Sequence, residues 1–365
     1  MGFRCGIVGL PNVGKSCLFN ALVQSRAAVS ANYAFSTVEP NLGRIAVPDD
    51  RLARIASLAK SPKITPTQLD FVDIAGLVRG ASRGEGLGNQ FLAHIREVDA
   101  IAHVLRCFEG TDVDRAGSVD PIADAEIVET ELLLADLDSL TRRLEPLTKR
   151  ARGGDRDAIA MRGMVERAIA ALEDGRSARD LEISRDEEVL FARMQLLTAK
   201  PVLFVCNVDE DEAAGGGAHA VRIEAWAAAR GAPSVVVSAA IEAEIAQLRD
   251  EDERRAFLEA LGLAETGLGR VVRAGYDLLG LITFFTTGPV ETRAWTVERG
   301  TRARDAAGKI HSDFARGFIA AETIAFDDFV TCGGEVAARE AARMRREGRD
   351  YIVRDGDVIL FRFNV

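Results

Sequence analysis

The 365-residue chain is short of positive charge: 46 Lys and Arg stand against 56 Asp and Glu, a formal net charge of −10. That balance argues against a globally basic nucleic-acid binder and leaves only local basic patches open. No apolar run approaches the ~20 residues a membrane-spanning helix needs, so no membrane partner is expected. Cysteine is sparse. Cys5, Cys17, Cys107, Cys206 and Cys332 form no C-x-x-C pair and no metal-ligand spacing, which reads as a reduced, cytoplasmic protein. MGFRCGIVGL runs straight into a strand pattern, so a signal peptide is not expected. Gly6 stands where N-myristoylation would call for Ser or Thr. The chain shows neither internal repeats nor a low-complexity tract.

What is present is a series of short apolar runs separated by helical stretches: residues 3–9, 68–76, 100–108, 201–207 and 233–240. Buried strands alternating with helices predict a parallel, doubly wound α/β sheet. Residues 124–199 differ. Ile127, Leu133, Leu134, Leu137, Leu140, Leu144 and Leu147 recur at helical spacing, Gly153-Gly154 breaks the pattern, and a second helical stretch carries Ile159, Met164, Val165, Ile169 and Leu172. This predicts a helical hairpin inserted between two strands of the sheet. From about residue 279 the pattern shifts again. LITFFTT and ETRAWTV alternate like a hairpin, ARDAAGKIHSDFARGF reads as one helix, and YIVRDGDVILFRF reads as two strands joined by Asp355-Gly356. A small α+β domain is expected there. The expected division is therefore 1–123 with 200–278, then 124–199, then 279–365.

GLPNVGKS (9–16) matches G-x-x-x-x-G-K-[ST], with a strand before it and a helix expected from Lys15 to about Gln24. The amides of residues 12–16 are expected to ring a phosphate at the helix N-terminus. Gly9 and Gly14 are expected to let the chain pass close to phosphates without Cβ clashes. Lys15 is the expected contact to the β- and γ-phosphates, and the Ser16 hydroxyl a ligand of Mg²⁺. Asp73, in FVDIAG, is expected to hold a Mg²⁺-bound water, and the Gly76 amide to touch the γ-phosphate. Thr37, in ANYAFSTVEPN, is the expected switch threonine, with Ser36 as its rival by position. The glycine-rich stretch 76–90 reads as a switch that orders with ATP or GTP.

Several groups are missing from this frame. Leu77 occupies the place of the Gln that orients water in Ras-type enzymes. An aliphatic side chain neither gives nor takes a proton, so slow intrinsic turnover is expected. Asn12 is a candidate for holding a monovalent cation such as K⁺, and equally a candidate for a plain turn residue. CNVDEDE (206–212) departs from the guanine-binding Asn-Lys-x-Asp. Glu210 is one methylene longer than the Asp that grips guanine, Asp209 comes one residue early, and Val208 replaces the Lys. Guanine preference should fall accordingly, leaving adenine to be read by the backbone and by Asn207. Glu210 and Ser238, the latter at the end of PSVVVS, complete the candidate nucleotide contacts.

These residues, together with FVDIAGLVRGASRGEGLGNQFL, IREVDAIAHVLRCFE, NVDE, ITFFTTGPVETRAWTV, GKIHSDFARGFI and GRDYIVRDGDVILFRFNV, resemble the YchF/Obg-like ATPase family over essentially the whole chain. The resemblance implies a P-loop NTPase fold of G-domain type, an inserted antiparallel coiled coil and a C-terminal TGS domain of β-grasp type. It implies ATP hydrolysis in preference to GTP, with a GTPase of the same fold, or a nucleotide-binding regulator with negligible hydrolysis, as alternatives. It places nucleotide contacts on Asn12, Val13, Gly14, Lys15, Ser16 and Cys17, the metal ligands on Ser16 and Thr37, and an adenine contact on the Val208 main chain. It is similar to potassium-stimulated NTPases in having Asn12. It departs from the family at Cys17, at Ala34, and in the loop EGTDVDRAGSVDP (109–121), which lacks the histidine some members carry. Asp114 or Arg115 lies nearest, and Asp114 is the candidate to take a proton from water. His103 reads as a core histidine.

The resemblance further implies a ribosome-associated monomer that acts in the cytoplasm. The expected hairpin tip carries Arg142, Arg143, Lys149, Arg150, Arg152 and Arg156 against Glu145 and Asp155, and reads equally as a phosphate-facing tip or a solvated end.

Overall fold

The computed structural model of the protein describes residues 3–24, 41–74, 87–109, 119–248 and 250–364. Its first sheet has six strands in the order β2-β4-β1-β5-β6-β7. β1 (Arg4–Val8), β4 (Gln68–Asp73), β5 (Ala100–Arg106), β6 (Val202–Asn207) and β7 (Ser234–Val237) run parallel, and β2 (Asn41–Ala46) pairs antiparallel to β4 on the edge. All residues of β5 and β6 are buried. That is why they read as unbroken apolar runs: helices cover both faces of a parallel sheet. These include α1 (Lys15–Gln24), α3 (Leu87–Glu97), α7 (Gly217–Ala228), α8 (Ala239–Gln247) and α10 (Gly267–Leu278). The α/β class and the five parallel strands are those expected.

Between β5 and β6 the chain leaves the sheet as α4 (Pro121–Arg152) and returns as α5 (Arg156–Glu173). Gly153 and the left-handed Gly154 (φ 84°) turn the chain, and Asp155 caps α5 by accepting from the Ala158 amide at 3.1 Å. Leu140, Met164, Val165, Ala168 and Leu172 fill the seam between the two helices. The base of the hairpin is fixed by buried Asp136. Its carboxylate accepts from Leu197 N (2.9 Å), Thr198 N (2.8 Å) and Thr198 Oγ1 (2.7 Å), tying α4 to the segment that leads into β6. A 3₁₀ turn (Ala178–Asp180) and the short α6 (Glu188–Ala192) occupy the return.

The second sheet has the order β11-β10-β12-β8-β9-β3. β8 (Leu281–Thr286) and β9 (Glu291–Glu298) form the expected hairpin. Three expectations are corrected. First, the stretch read as one helix is two, α11 (Ala303–Ile310) and α12 (Ser312–Arg316). His311 is extended between them (φ −160°, ψ 146°), and its Nδ1 accepts from Asp313 N, so a side-chain cap wins over helix continuation. Second, residues 351–354 form no strand with β12 (Val358–Phe363); Ile352 makes only an isolated bridge to Arg302. The turn at Asp355-Gly356 is instead fastened to β8. Asp355 Oδ1 accepts from Thr283 N at 2.9 Å, and Gly356 N donates to Thr283 O at 2.8 Å. β12 therefore enters the sheet between β8 and β10 (Phe318–Ile324), with β11 (Arg345–Glu347) beyond.

The third correction concerns residues 41–67, in which no elements were expected. They hold β2, α2 (Asp50–Ala59) and β3 (Lys63–Thr65), and β3 pairs in parallel with β9, completing the second sheet. Leu52 and Ile55 of α2 pack in one core with Phe285, Ala294, Ile324, Phe329 and Val358. Phe329 belongs to α13 (Phe326–Cys332), which is followed by α14 (Glu335–Glu340); α9 (Glu251–Ala260) packs against α8 instead. Arg51 bonds both Asp49 and Asp355, and Ser61 Oγ donates to Gly288 O at 2.7 Å. Among the described residues no helix is long and apolar enough to cross a membrane.

Ile55 is fully buried in that shared core. Ile55→Ala should cost about 2–5 kcal/mol of stability and speed amide exchange in β8 and β12, measured by denaturant unfolding and hydrogen exchange. Unchanged protection of β8 and β12 would separate α2 from the second sheet.

Candidate nucleotide site

The parallel strands bring four sequence-distant segments to one edge of the first sheet, their carboxyl ends, where doubly wound folds bind ligands. Ile7 is in register with Asp73, Arg106 with Asn207, and Asn207 with Val237. The loop 9–14 leaves β1 at this edge, and α1 starts at Lys15 as expected. Leu18 N is the first amide of α1 to reach a carbonyl within the turn, Gly14 O at 3.0 Å. The amides ahead of it are the free donors of a helix N-terminus, set to receive an anion.

The two loop glycines also have close protein neighbours. A Cβ on Gly9 would lie 2.7 Å from Val104 O and 2.9 Å from Val13 Cγ2. A Cβ on Gly14 (φ 89°) would collide with Asn207 Nδ2. The glycines thus make room for β5 and for Asn207, and the loop is drawn tight against the protein itself. Asn12 is exposed and left-handed (φ 63°), a conformation Asn tolerates better than most residues.

Lys15 Nζ donates to Ile74 O at 2.7 Å and lies 3.9 Å from Asp73 Oδ1. The latter is a charge contact and not a hydrogen bond. Burial lowers the Lys15 pKa, with Asp73 opposing. Burial likewise raises the Asp73 pKa, opposed by Lys15 and by a hydrogen bond from the Asn41 side chain. Asp73 Oδ1 is buried with no hydrogen-bond partner. Only the pairing of edge strand β2 with β4 brings Asn41 opposite Asp73. Ser16 and Cys17 are exposed on the first turn of α1.

Asn207 is buried, and its carboxamide is committed at both ends: Nδ2 donates to Val13 O (3.0 Å) and Oδ1 accepts from Ala239 N (2.9 Å). It braces the phosphate loop against α8, with one N–H of Nδ2 and one lone pair of Oδ1 used in the brace. Val208 is buried, and its amide donates to Val237 O at 2.9 Å. Ser238 Oγ is buried beside them without a partner. Glu210 is exposed and opens a single 3₁₀ turn, Glu210–Glu212. His103 is a core residue: burial, aided by Arg179, lowers its pKa to about 3. Thr37, Gly76, Leu77 and Asp114 lie outside the described residues, as do Ser36 and Arg115.

Two family models match the chain. One, YchF-GTPase_C, described as "Protein of unknown function (DUF933)", covers residues 281–364, and the other, MMR_HSR1, described as "50S ribosome-binding GTPase", covers residues 4–137. Curated relatives called ribosome-binding ATPase YchF are 50% identical over 366 residues in Escherichia coli O157:H7 and 49% identical over 368 residues in Bacillus subtilis (strain 168), with all of each chain covered. A solved structure, the Schizosaccharomyces pombe YchF GTPase, superposes with a TM-score of 0.88 at 34% identity, covering 99% of this chain and 98% of that one.

A buried carboxylate near the base edge gives a pH test. Glu242 of α8 accepts from Gly267 N at 2.6 Å and so caps α10. Burial raises its pKa from 4.5 to about 7, against the two backbone bonds and Arg270. A folded pKa above the unfolded one means stability is greatest below about pH 4.5 and is lost as pH rises through about 7. Glu242→Gln keeps an acceptor without the charge, so its unfolding free energy should vary less between pH 5 and pH 8 than that of the wild type. Equal slopes would place the titration elsewhere.

Proposed function

The chain belongs to the YchF family, and from that membership and the site's geometry we propose that it is an Mg²⁺-dependent ATPase that acts as a nucleotide-controlled switch on the ribosome. The observation that carries the choice of ATP is the base edge. Where a guanine reader places a lysine stem and an Asp fork, this chain has buried Val208, bonded to Val237, and Glu210 on an exposed turn. A purine at this edge meets main chain and the Ser238 hydroxyl, with no paired carboxylate to reward guanine. The bacterial relatives' names support ATP and the ribosome as ligands; the Schizosaccharomyces pombe protein is called a GTPase.

The loop amides and Lys15 bind and stabilise the charge of the phosphoryl group in transfer. To do so Lys15 exchanges Ile74 O for phosphate oxygens, a short move because the ammonium is already held at the end of β4. The residues present fit a divalent cation: Asp73 has a buried oxygen with nothing bonded to it, and the Ser16 hydroxyl is free on the first turn of α1. Ser16 and Thr37 would hold Mg²⁺, with Asp73 behind a coordinated water; when bound, the ion neutralises charge on the β- and γ-phosphates. Asn12 is the residue proposed to engage K⁺. Leu77 cannot orient water, so turnover is slow, and Asp114 is proposed to accept the proton. The Gly76 amide is proposed to contact the γ-phosphate. The protein works as a cytoplasmic monomer, with residues 124–199 as a coiled-coil arm and 279–365 as a TGS domain that meet the ribosome.

Steady-state phosphate release tests this. Wild type should hydrolyse ATP faster than GTP, and faster in K⁺ than in Na⁺. Lys15→Ala should lower ATP turnover by about a hundredfold or more, the scale of losing one transition-state charge contact. Asp114→Ala should lower turnover while leaving ATP affinity unchanged. Release that is unaffected by Lys15→Ala would contradict hydrolysis at this site.

A further inference from the structure

On the side of the hairpin base away from the phosphate loop lies a groove of about 760 Å³, toward the amino-terminal end of β7. One stripe of α4 forms its long wall, from Glu126 to Leu137, about three helical turns or ~16 Å. The end of α5, the turn after it and Phe204 of β6 close the other sides. The floor is apolar, with Leu133, Leu137 and Phe204, and Leu134 at its lip is 42% exposed.

The charges around this floor do not cancel. Four lining carboxylates, Glu126, Glu129, Glu173 and Asp180, stand against three guanidinium groups: Arg179 pairs with Glu129 (3.6 Å) and donates to Thr198 O, Arg176 pairs with Asp174 (3.5 Å), and Arg230 lies 3.9 Å from the Trp226 ring centroid and keeps its charge. Glu126 and Glu173, exposed on opposite sides, carry no ion pair among the described residues. Glu129, between Arg179 and Arg230, has its pKa raised by burial. The surplus facing solvent is negative, above a trough long enough for about three turns of helix.

We propose that this groove docks a basic peptide segment of a partner protein, with aliphatic anchors on the Leu133–Leu137 floor and Lys or Arg side chains reaching Glu126 and Glu173. An amphipathic helix laid in an apolar groove is the recognition mode that fits such a wall. Where the proposed function puts the chain on the ribosome, the segment belongs to a ribosomal protein and not to RNA; that part rests on the ribosome reading, and the groove itself does not.

The probe is a fluorescein-labelled 14-residue peptide of leucine at helical a/d spacing with lysine elsewhere, titrated with the full chain. Glu126→Lys with Glu173→Lys should weaken binding at least tenfold, and Leu134→Asp likewise. The control, Glu251→Lys with Asp252→Lys on exposed α9, makes the same change in net charge and should weaken it less than twofold. Equal losses in the two charge-reversed pairs, or no saturable binding, overturn the proposal. In sedimentation with purified ribosomes the groove pair should weaken recovery; stronger recovery would identify RNA at this face and overturn the ribosomal-protein assignment. A wild-type chain that does not sediment sinks the ribosome reading while the peptide titration still decides the groove.

Discussion

A single carboxamide holds the site together. Asn207 binds the carbonyl of Val13 with one end and the amide of Ala239 with the other, from a position that is 5% exposed. Its two partners lie in the loop before α1 and at the start of α8, so the phosphate loop, the end of β6 and the base edge form one unit. Leaving either backbone group unpaired in this interior costs about 1–3 kcal/mol. The same contact accounts for Gly14: any side chain there would occupy the space the carboxamide fills. It also explains why an Asn stands at the head of a motif whose Lys and Asp are absent. The residue serves the loop, and it is needed whichever purine lies above.

The second consequence concerns residues 41–67. Asn41, at their start, bonds the carboxylate of Asp73 and so belongs to the phosphate site. A few residues on, Arg51 holds Asp355, Ile55 fills the core beneath Phe285, and β3 adds the last strand to the second sheet. Tyr276, at the end of α10, adds a further weld by bonding Ile282 O and Thr283 Oγ1. The C-terminal sheet is therefore completed by a segment that lies, in sequence, inside the nucleotide-binding half.

The phosphate loop, α1 and the five parallel strands could be read from the sequence because local physics decides them: glycine spacing, apolar runs and a helix start. β2 and β3 could not. β2 buries only Gly43 and Ile45, and β3 is three residues held by pairing with β9. Local signals also lost to distant bonds. Asp355-Gly356 carries the strongest short hairpin signature in the chain, yet bonds from Thr283 and Arg51 direct that turn onto β8. Asn207 was visible as a nucleotide-site residue, while its role was not, since its partner Val13 lies 194 residues away. Val208 and Ser238 directly follow β6 and β7, and only the fold shows that the Val208 amide is bonded to Val237 O while the buried Ser238 hydroxyl has no partner.

In the proposed ATPase the loop grips phosphates through a brace indifferent to the base, while no carboxylate selects guanine. The most direct measurement is equilibrium competition of ATP and GTP against one fluorescent nucleotide, for wild type and for Glu210→Ala. ATP should displace the probe at lower concentration, and Glu210→Ala should leave the ATP-to-GTP ratio unchanged. Tighter GTP binding that disappears in Glu210→Ala would contradict it.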